Sequence, residues 1–156
     1  RGAYAGESSN FPAFLNAPHA RLRGDMEILP GLAEDGLVTA GKDISQGGIA
    51  GTAVMLAECS GVGIAIDPAQ ITPPDGDLTR WMTAFPSFGF LLTATPDNAA
   101  AVLRRFRDRD IGAGIIGTVT PGSAVTLTEG GTQHTIWDHE KQPYLGLAPM
   151  KEPADA

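Results

Sequence analysis

The chain has 156 residues, 42% of them apolar and 19% charged, and carries a formal net charge of −7. That length and balance describe one globular domain with a real core, not a disordered chain, and the acidic surplus excludes sequence-independent nucleic-acid binding, which needs a basic footprint. The single cysteine, Cys59, excludes a disulfide framework or a multi-cysteine zinc site, and the longest apolar run, Gly47 to Ala57, is too short to span a bilayer.

Residues 1–18 read as an arm or linker whose aromatics Tyr4, Phe11 and Phe14 dock on the domain. Leu22, Met26, Leu29, Ala33 and Leu37 recur at spacings of three and four, a helical stripe that Pro30 kinks or divides into two short helices, with Gly36 as its stop. Leu37 to Lys42 follows as a strand and Asp43 to Gly48 as a turn. The small and apolar run from Ile49 to Cys59 is a buried helix that Gly61 ends, and Val62 to Asp67 is a strand. Pro68, Pro73 and Pro74 mark a loop, after which Asp77 caps a short helix through Leu78, Trp81 and Met82. Phe88 to Thr95 is the clearest strand. Thr95-Pro96-Asp97 opens the clearest helix, Asn98 to Arg107, which buries Ala101, Leu103 and Phe106. Ile111 to Thr120 reads as another strand, and Ala124 to Leu127 with Thr132 to Trp137 as a hairpin about Gly130-Gly131. From Glu140 onward the chain reads as a frayed tail. This order predicts an α/β or α+β sandwich over residues 19–139, its second half like half of a ferredoxin-like unit. Val54, Met55, Leu91 and Leu103 are the expected core.

Several motifs have the letters of a chemistry without its context. Gly112-Ala113-Gly114-Ile115-Ile116-Gly117 matches Gly-x-Gly-x-x-Gly, but a dinucleotide fingerprint needs a strand before it and a helix at its end. Here a helix precedes and strand-like residues follow, so the glycines mark a close approach of another element. Gly36 to Asp43 is one residue short of a phosphate loop and places a carboxylate where a hydroxyl should hold magnesium. His134, Asp138, His139 and Glu140 are metal-ligand types at no tetrahedral spacing and read as a solvated surface cluster. Arg104, Arg105, Arg107 and Arg109 read as the solvated face of a helix, and Cys59 as an inert core thiol.

The segment with a working mechanism is Lys42-Asp43-Ile44-Ser45-Gln46-Gly47-Gly48, between a strand and a helix. Gly47 and Gly48 let a ligand approach the backbone, and the N–H groups that open the next helix attract an anion. Ser45 adds a hydroxyl, and Asp43 can hold Mg²⁺ or cap the turn. The same residues also describe a plain strand–helix turn capped by Ser45.

These residues, with Ala57-Glu58-Cys59-Ser60-Gly61-Val62-Gly63, resemble the C-terminal domain of the aminoimidazole ribonucleotide (AIR) synthase superfamily, which shares an Asp-x-Ser/Thr-x-Gly-Gly loop, a helix and a Ser-Gly-Val-Gly entry to a strand. Thiamine monophosphate kinase, selenophosphate synthetase, the formylglycinamide ribonucleotide amidotransferases and a hydrogenase maturation protein belong to it. Trp81 to Leu92 resembles an AIR synthase-related branch, and Ala113 to Thr120 the closing strand of the family. The likeness covers roughly residues 20–127.

The resemblance implies a three-layer α/β/α domain and a second, N-terminal domain that supplies Asp-rich metal sites and a dimerisation sheet. The chain begins at Arg1 without a signal-peptide pattern. It is therefore expected to be the C-terminal piece of a longer cytoplasmic protein, with the N-terminal domain as partner and a homodimer as a possible assembly. ATP and Mg²⁺ would lie at the domain boundary, where phosphoryl transfer to a small-molecule substrate takes place, with no role for nucleic acid or membrane. Asp43, Ser45, Gly47 and Gly48 are the implied phosphate contacts, Asp43 a metal ligand, and Ser87 a substrate contact. Gln46 departs from the acidic residue of several members, and Phe85-Pro86-Ser87-Phe88 from the acidic pair of the kinases. The alternative is a non-catalytic ligand-binding or assembly domain of the same fold; a ferredoxin-like regulatory domain would instead bind ligand at a sheet edge. Residues 1–156 alone are expected to be inactive and to bind ATP weakly.

Overall fold

The stripe that begins at Leu22 folds as two helices, α1 (His19–Met26) and α2 (Ile28–Glu34). The division falls at Glu27, not at Pro30. Pro30 lies in the first turn of α2, where a backbone N–H has no intrahelical acceptor and its absence costs nothing. Gly36, at φ +64°, turns the chain out of α2. The structure is a computed structural model that describes residues 10–13, 17–74 and 76–149.

Strand β1 (Ala40–Asp43) is shorter than the expected Leu37–Lys42 run and pairs antiparallel with β3 (Phe90–Thr93) in a two-stranded sheet. Between them lie α3 (Gly48–Ser60), β2 (Gly63–Ile66) and α4 (Leu78–Thr83), with Asp77 accepting the Arg80 N–H as an N-cap. Helix α5 (Pro96–Arg107) carries its proline in the first turn and three arginines in the last. Strands β4 (Gly117–Thr120), β5 (Ala124–Glu129) and β6 (Thr132–Asp138) complete a four-stranded sheet of order β4-β2-β5-β6. β2 runs antiparallel to β4 and parallel to β5, and Gly130 and Gly131, both at positive φ, close the β5–β6 hairpin.

The period-two alternation of β3 sets the layers. Phe90 and Leu92 pack toward Ile28, Leu32, Val102 and Phe106 of α2 and α5. Leu91 packs on the opposite face with Ile49, Ala53, Val54 and Leu56 of α3. The arrangement α2 and α5, then β1 and β3, then α3, is the expected three-layer order, and α3 also contacts β2 and β5. Of the four expected core residues Val54 is buried, whereas Met55, Leu91 and Leu103 are only half-buried.

The strand expected over Ile111–Thr120 is confined to its last four residues, because β2 offers only four to pair with. The third glycine of the Gly-x-Gly-x-x-Gly run has a packing cause: a Cβ on Gly117 would lie 2.2 Å from the Ala65 carbonyl oxygen. Gly112 and Gly114 have open space. The N-terminal arm docks through Phe11, whose N–H donates to the Phe85 carbonyl at 2.7 Å and whose ring meets Trp81 edge-on at 5.1 Å. Tyr4 and Phe14 lie outside the described residues.

Three further expectations are corrected. Cys59 is exposed, not a core thiol: its neighbour Glu58 is wholly buried, and one step along a helix turns the next side chain by about 100°. His139 is buried and not solvated, with Nε2 3.1 Å from the Val62 carbonyl. The frayed tail is tied down as far as residue 149, because the Glu58 carboxylate accepts the N–H groups of Tyr144, Leu145 and Leu147.

Candidate functional site

The strand–helix turn forms where β1 runs out of partner. Asp43 pairs with Phe90 at the end of the ladder, and the Ile44 N–H still reaches the Gly89 carbonyl at 2.9 Å. The Ser45 N–H then donates to Oγ1 of Thr52, a wholly buried residue of α3, at 3.2 Å. That bond fixes the turn against the helix it precedes. Gly47 sits at φ +89° and Gly48 at φ +64°, a left-handed pair that glycine adopts without strain.

Three polar side chains gather on this turn. Lys42 Nζ lies 2.9 Å from Asp43 Oδ1 and 3.4 Å from Ser45 Oγ, and Ser45 Oγ donates to Asp43 Oδ2 at 2.5 Å. The hydrogen bond from Ser45, and after it that from Lys42, holds the Asp43 carboxyl below the usual carboxylate range. Asp43 is well exposed. The group therefore presents an ammonium, an ionised carboxylate and a hydroxyl to solvent. The sequence reading gave Lys42 no role of its own.

The glycines divide. Gly47 is exposed, whereas Gly48 is buried under the end of α4, where a Cβ would lie 2.5 Å from the Met82 carbonyl oxygen. The Gly48 N–H donates to the Ser45 carbonyl at 3.0 Å. The Gly48 N–H is therefore taken up within the turn, and Gly48 is glycine because α4 crosses there. Ser87, at φ +57°, lies on the loop entering β3, at the same end of the two-stranded sheet as Asp43. Its Oγ donates to the Phe11 carbonyl at 2.8 Å and so ties down the N-terminal arm.

As a metal site the turn offers one carboxylate, Asp43. Among the described residues no three His, Cys, Asp or Glu side chains gather to hold an ion. One carboxylate fits a magnesium ion that takes its other ligands from phosphate and water. Of the His134, Asp138, His139 and Glu140 set, His134 and Glu140 are exposed, and Asp138 is a structural tie. Asp138 accepts Ser123 Oγ at 2.7 Å and Lys141 Nζ at 2.9 Å, and those two bonds hold its pKa at about 2. A cavity of about 350 Å³ opens at the other end of β1, lined by Thr39, Ala40, Leu56, Val62, Ile64 and Val119 among others, with no ionisable side chain in its wall. No helix among the described residues is long and apolar enough to cross a membrane.

Residues 17–130 match the family described as AIR synthase related protein, C-terminal domain. An uncharacterized protein of Synechocystis is 40% identical over 127 residues, and one of Methanocaldococcus jannaschii is 34% identical over 126. These alignments take in 81% and 80% of this chain, which spans only 39% of the length of each relative. The PurL subunit of phosphoribosylformylglycinamidine synthase from Sinorhizobium fredii is 34% identical over 114 residues, 71% of this chain and 15% of its own length. Among solved structures, Thermotoga maritima PurL complexed with ATP superposes with a TM-score of 0.67 at 12% identity, covering 96% of this chain and 26% of that one. Escherichia coli HypE, a hydrogenase maturation protein, superposes at 0.63 with 19% identity, over 78% of this chain and 40% of its own. At those identities the superpositions establish the fold alone. The sequence match over residues 17–130 goes further: the chain belongs to the AIR synthase related protein family, as its C-terminal domain.

Proposed function

We propose that this chain supplies one wall of an ATP–Mg²⁺ site in a longer protein that activates a small substrate by phosphoryl transfer. The observation that carries this reading is the Lys42, Asp43 and Ser45 group, within 3.4 Å of one another on the exposed turn before α3, in a chain of this family. Lys42 and Ser45 face phosphate oxygens, Asp43 takes one position on the magnesium ion, and Gly47 lets the phosphates approach the backbone. Gly48 shapes the turn, and Ser87 borders the substrate on the adjacent loop. Such catalysis is mostly positioning and charge stabilisation. The ATP complex of the PurL neighbour supports the choice of nucleotide.

A helix terminus contributes only about 0.3–1 kcal/mol toward an exposed charge, and micromolar affinity needs about 8 kcal/mol. A second wall is therefore required, and the relatives' greater length supports an N-terminal domain in that role. Calorimetric titration of Mg–ATP tests the reading. The full-length protein binds in the micromolar range, residues 1–156 bind weakly, and K42A and D43A each weaken the full-length protein at least tenfold. Full affinity in both variants overturns the reading.

A further inference from the structure

We propose that Tyr144 is a phosphate-contacting residue of this same site and that Glu58 is the positioning residue that holds it there; the proposal rests on the nucleotide reading of the Asp43–Gly47 turn. Glu58 points inward from the last turns of α3 and is wholly buried. A buried carboxylate is tolerated only where its oxygens are saturated. Here the donors are backbone N–H groups of a C-terminal strap: Tyr144 at 2.5 Å, Leu145 at 3.1 Å and Leu147 at 2.9 Å. Gly146, at φ +73°, bends the strap so that its N–H groups converge on one point, an anion-binding concavity filled by a side chain. Burial pushes the carboxyl pKa up, yet these N–H groups outweigh it and hold Glu58 below its ordinary value.

The clamp fixes a segment that is otherwise exposed. The strap lies along α3, from Tyr144 beside Gly51 to Pro149 beside Gly61. Tyr144 is held from a second side by Trp137, whose ring meets it edge-on at 5.5 Å and whose Nε1 donates to the Gln142 carbonyl at 2.8 Å. The Tyr144 hydroxyl reaches the first turn of α3, 4.0 Å from where a Gly51 Cβ would stand. Gly51 is one helical turn beyond Gly47, and its N–H donates to the Gly47 carbonyl at 3.0 Å. Among the described residues the hydroxyl has no hydrogen-bond partner. A phenol is a neutral donor. In a chain of net charge −7, it contacts a phosphate oxygen without drawing in a further counter-charge.

The test uses the full-length protein, with Mg–ATP and adenosine as probes, thermal melting, and proteolysis of the 140–149 segment. Y144F weakens Mg–ATP about tenfold, the loss of one hydrogen bond to a charged group, and leaves adenosine affinity, melting temperature and strap protection unchanged. E58Q places an amide against the N–H cluster, makes the strap cleavable and causes at least the same loss of Mg–ATP affinity. Wild-type affinity for Mg–ATP in Y144F overturns the proposal, as does a cleavable strap in E58Q with unchanged affinity. If E58Q fails to fold, Y144F decides alone. Absence of Mg–ATP binding by the wild-type protein overturns the nucleotide reading and this proposal together; binding by the wild type that Y144F leaves intact overturns this proposal only.

Discussion

Arg109 Nε donates to Asp25 Oδ1 at 2.5 Å, a contact between residues 84 apart in sequence that joins α1 to the end of α5. Arg21 donates to the other carboxylate oxygen at 2.9 Å, and each arginine also donates to the other's carbonyl. Gly24 makes room for the pair, since a Cβ there would lie 2.7 Å from an Arg109 guanidinium nitrogen. The arginine run that closes α5 and continues past it is thus more than a solvated face, because Arg109, two residues beyond the helix, locks a buried carboxylate.

Removal of that carboxylate leaves two guanidiniums facing each other. D25A is expected to cost about 3 kcal/mol in chemical denaturation, the low end for a broken buried pair, because both arginines keep about a third of their surface in water. Burial pushes the Asp25 carboxyl up, but hydrogen bonds from Arg109 and then Arg21 outweigh it and hold the folded pKa below the ordinary 3.8. The pair's stabilisation is therefore complete above that value and is lost as pH falls through the lower, folded one. Equal slopes of stability against pH for wild type and D25A below about pH 4 would contradict the assignment.

Gly48 and Gly36 share a φ of +64° but not their surroundings. A Cβ on Gly48 would stand 2.5 Å from backbone atoms of Met82 and Thr83, whereas nothing lies within 4 Å of one on Gly36. G36A meets only the left-handed backbone and costs about 1 kcal/mol. G48A adds overpacking against a rigid neighbour and costs about 3 kcal/mol. Equal melting temperatures for the two variants would show that α4 does not press on the turn.

Glu58 makes the strap sensitive to acid. Its folded pKa lies below the ordinary 4.5, so the clamp is intact above that value and fails as pH falls through the folded one. Trp137 emission reports the event, because its ring contacts Tyr144 and its indole N–H bonds the Gln142 carbonyl. The expected acid titration shows this emission change in wild type, and in E58Q the released signal already at neutral pH. Wild-type emission from E58Q at neutral pH would mean that the strap is held by other contacts.

Cys59 is expected to react with an aromatic disulfide reagent in native buffer, one thiol per chain and without denaturant, since it is exposed at the end of α3. A thiol that appears only on unfolding would place this turn of the helix the other way round.

The elements legible in the sequence were those with strong local signals. The proline opening and acidic first turn of α5, the Asp77 cap of α4, the glycine pair of the β5–β6 hairpin and the Gly61 stop of α3 are each specified by backbone chemistry within a few residues. The Asp43, Ser45, Gly47 and Gly48 turn was legible for the same reason, and the family resemblance followed from the order of such segments. The strand drawn from Ile111 failed because pairing depends on a partner elsewhere in the chain, and β2 is only four residues long.

What the sequence by itself determined is therefore the order of helices and strands, the turn between β1 and α3, and membership in the family. Only the tertiary structure decided which side chains face inward at the ends of those elements. Glu58 and Cys59 are adjacent letters, and nothing local makes the charged one the buried one; backbone N–H groups 86 to 89 residues away do. The same holds for Gly48, whose neighbour is the end of α4, and for Asp25, whose partner closes from the far end of α5. A buried polar group or a missing side chain is explained by what packs against it, and that partner is chosen by the fold, not by the residues beside it in the chain.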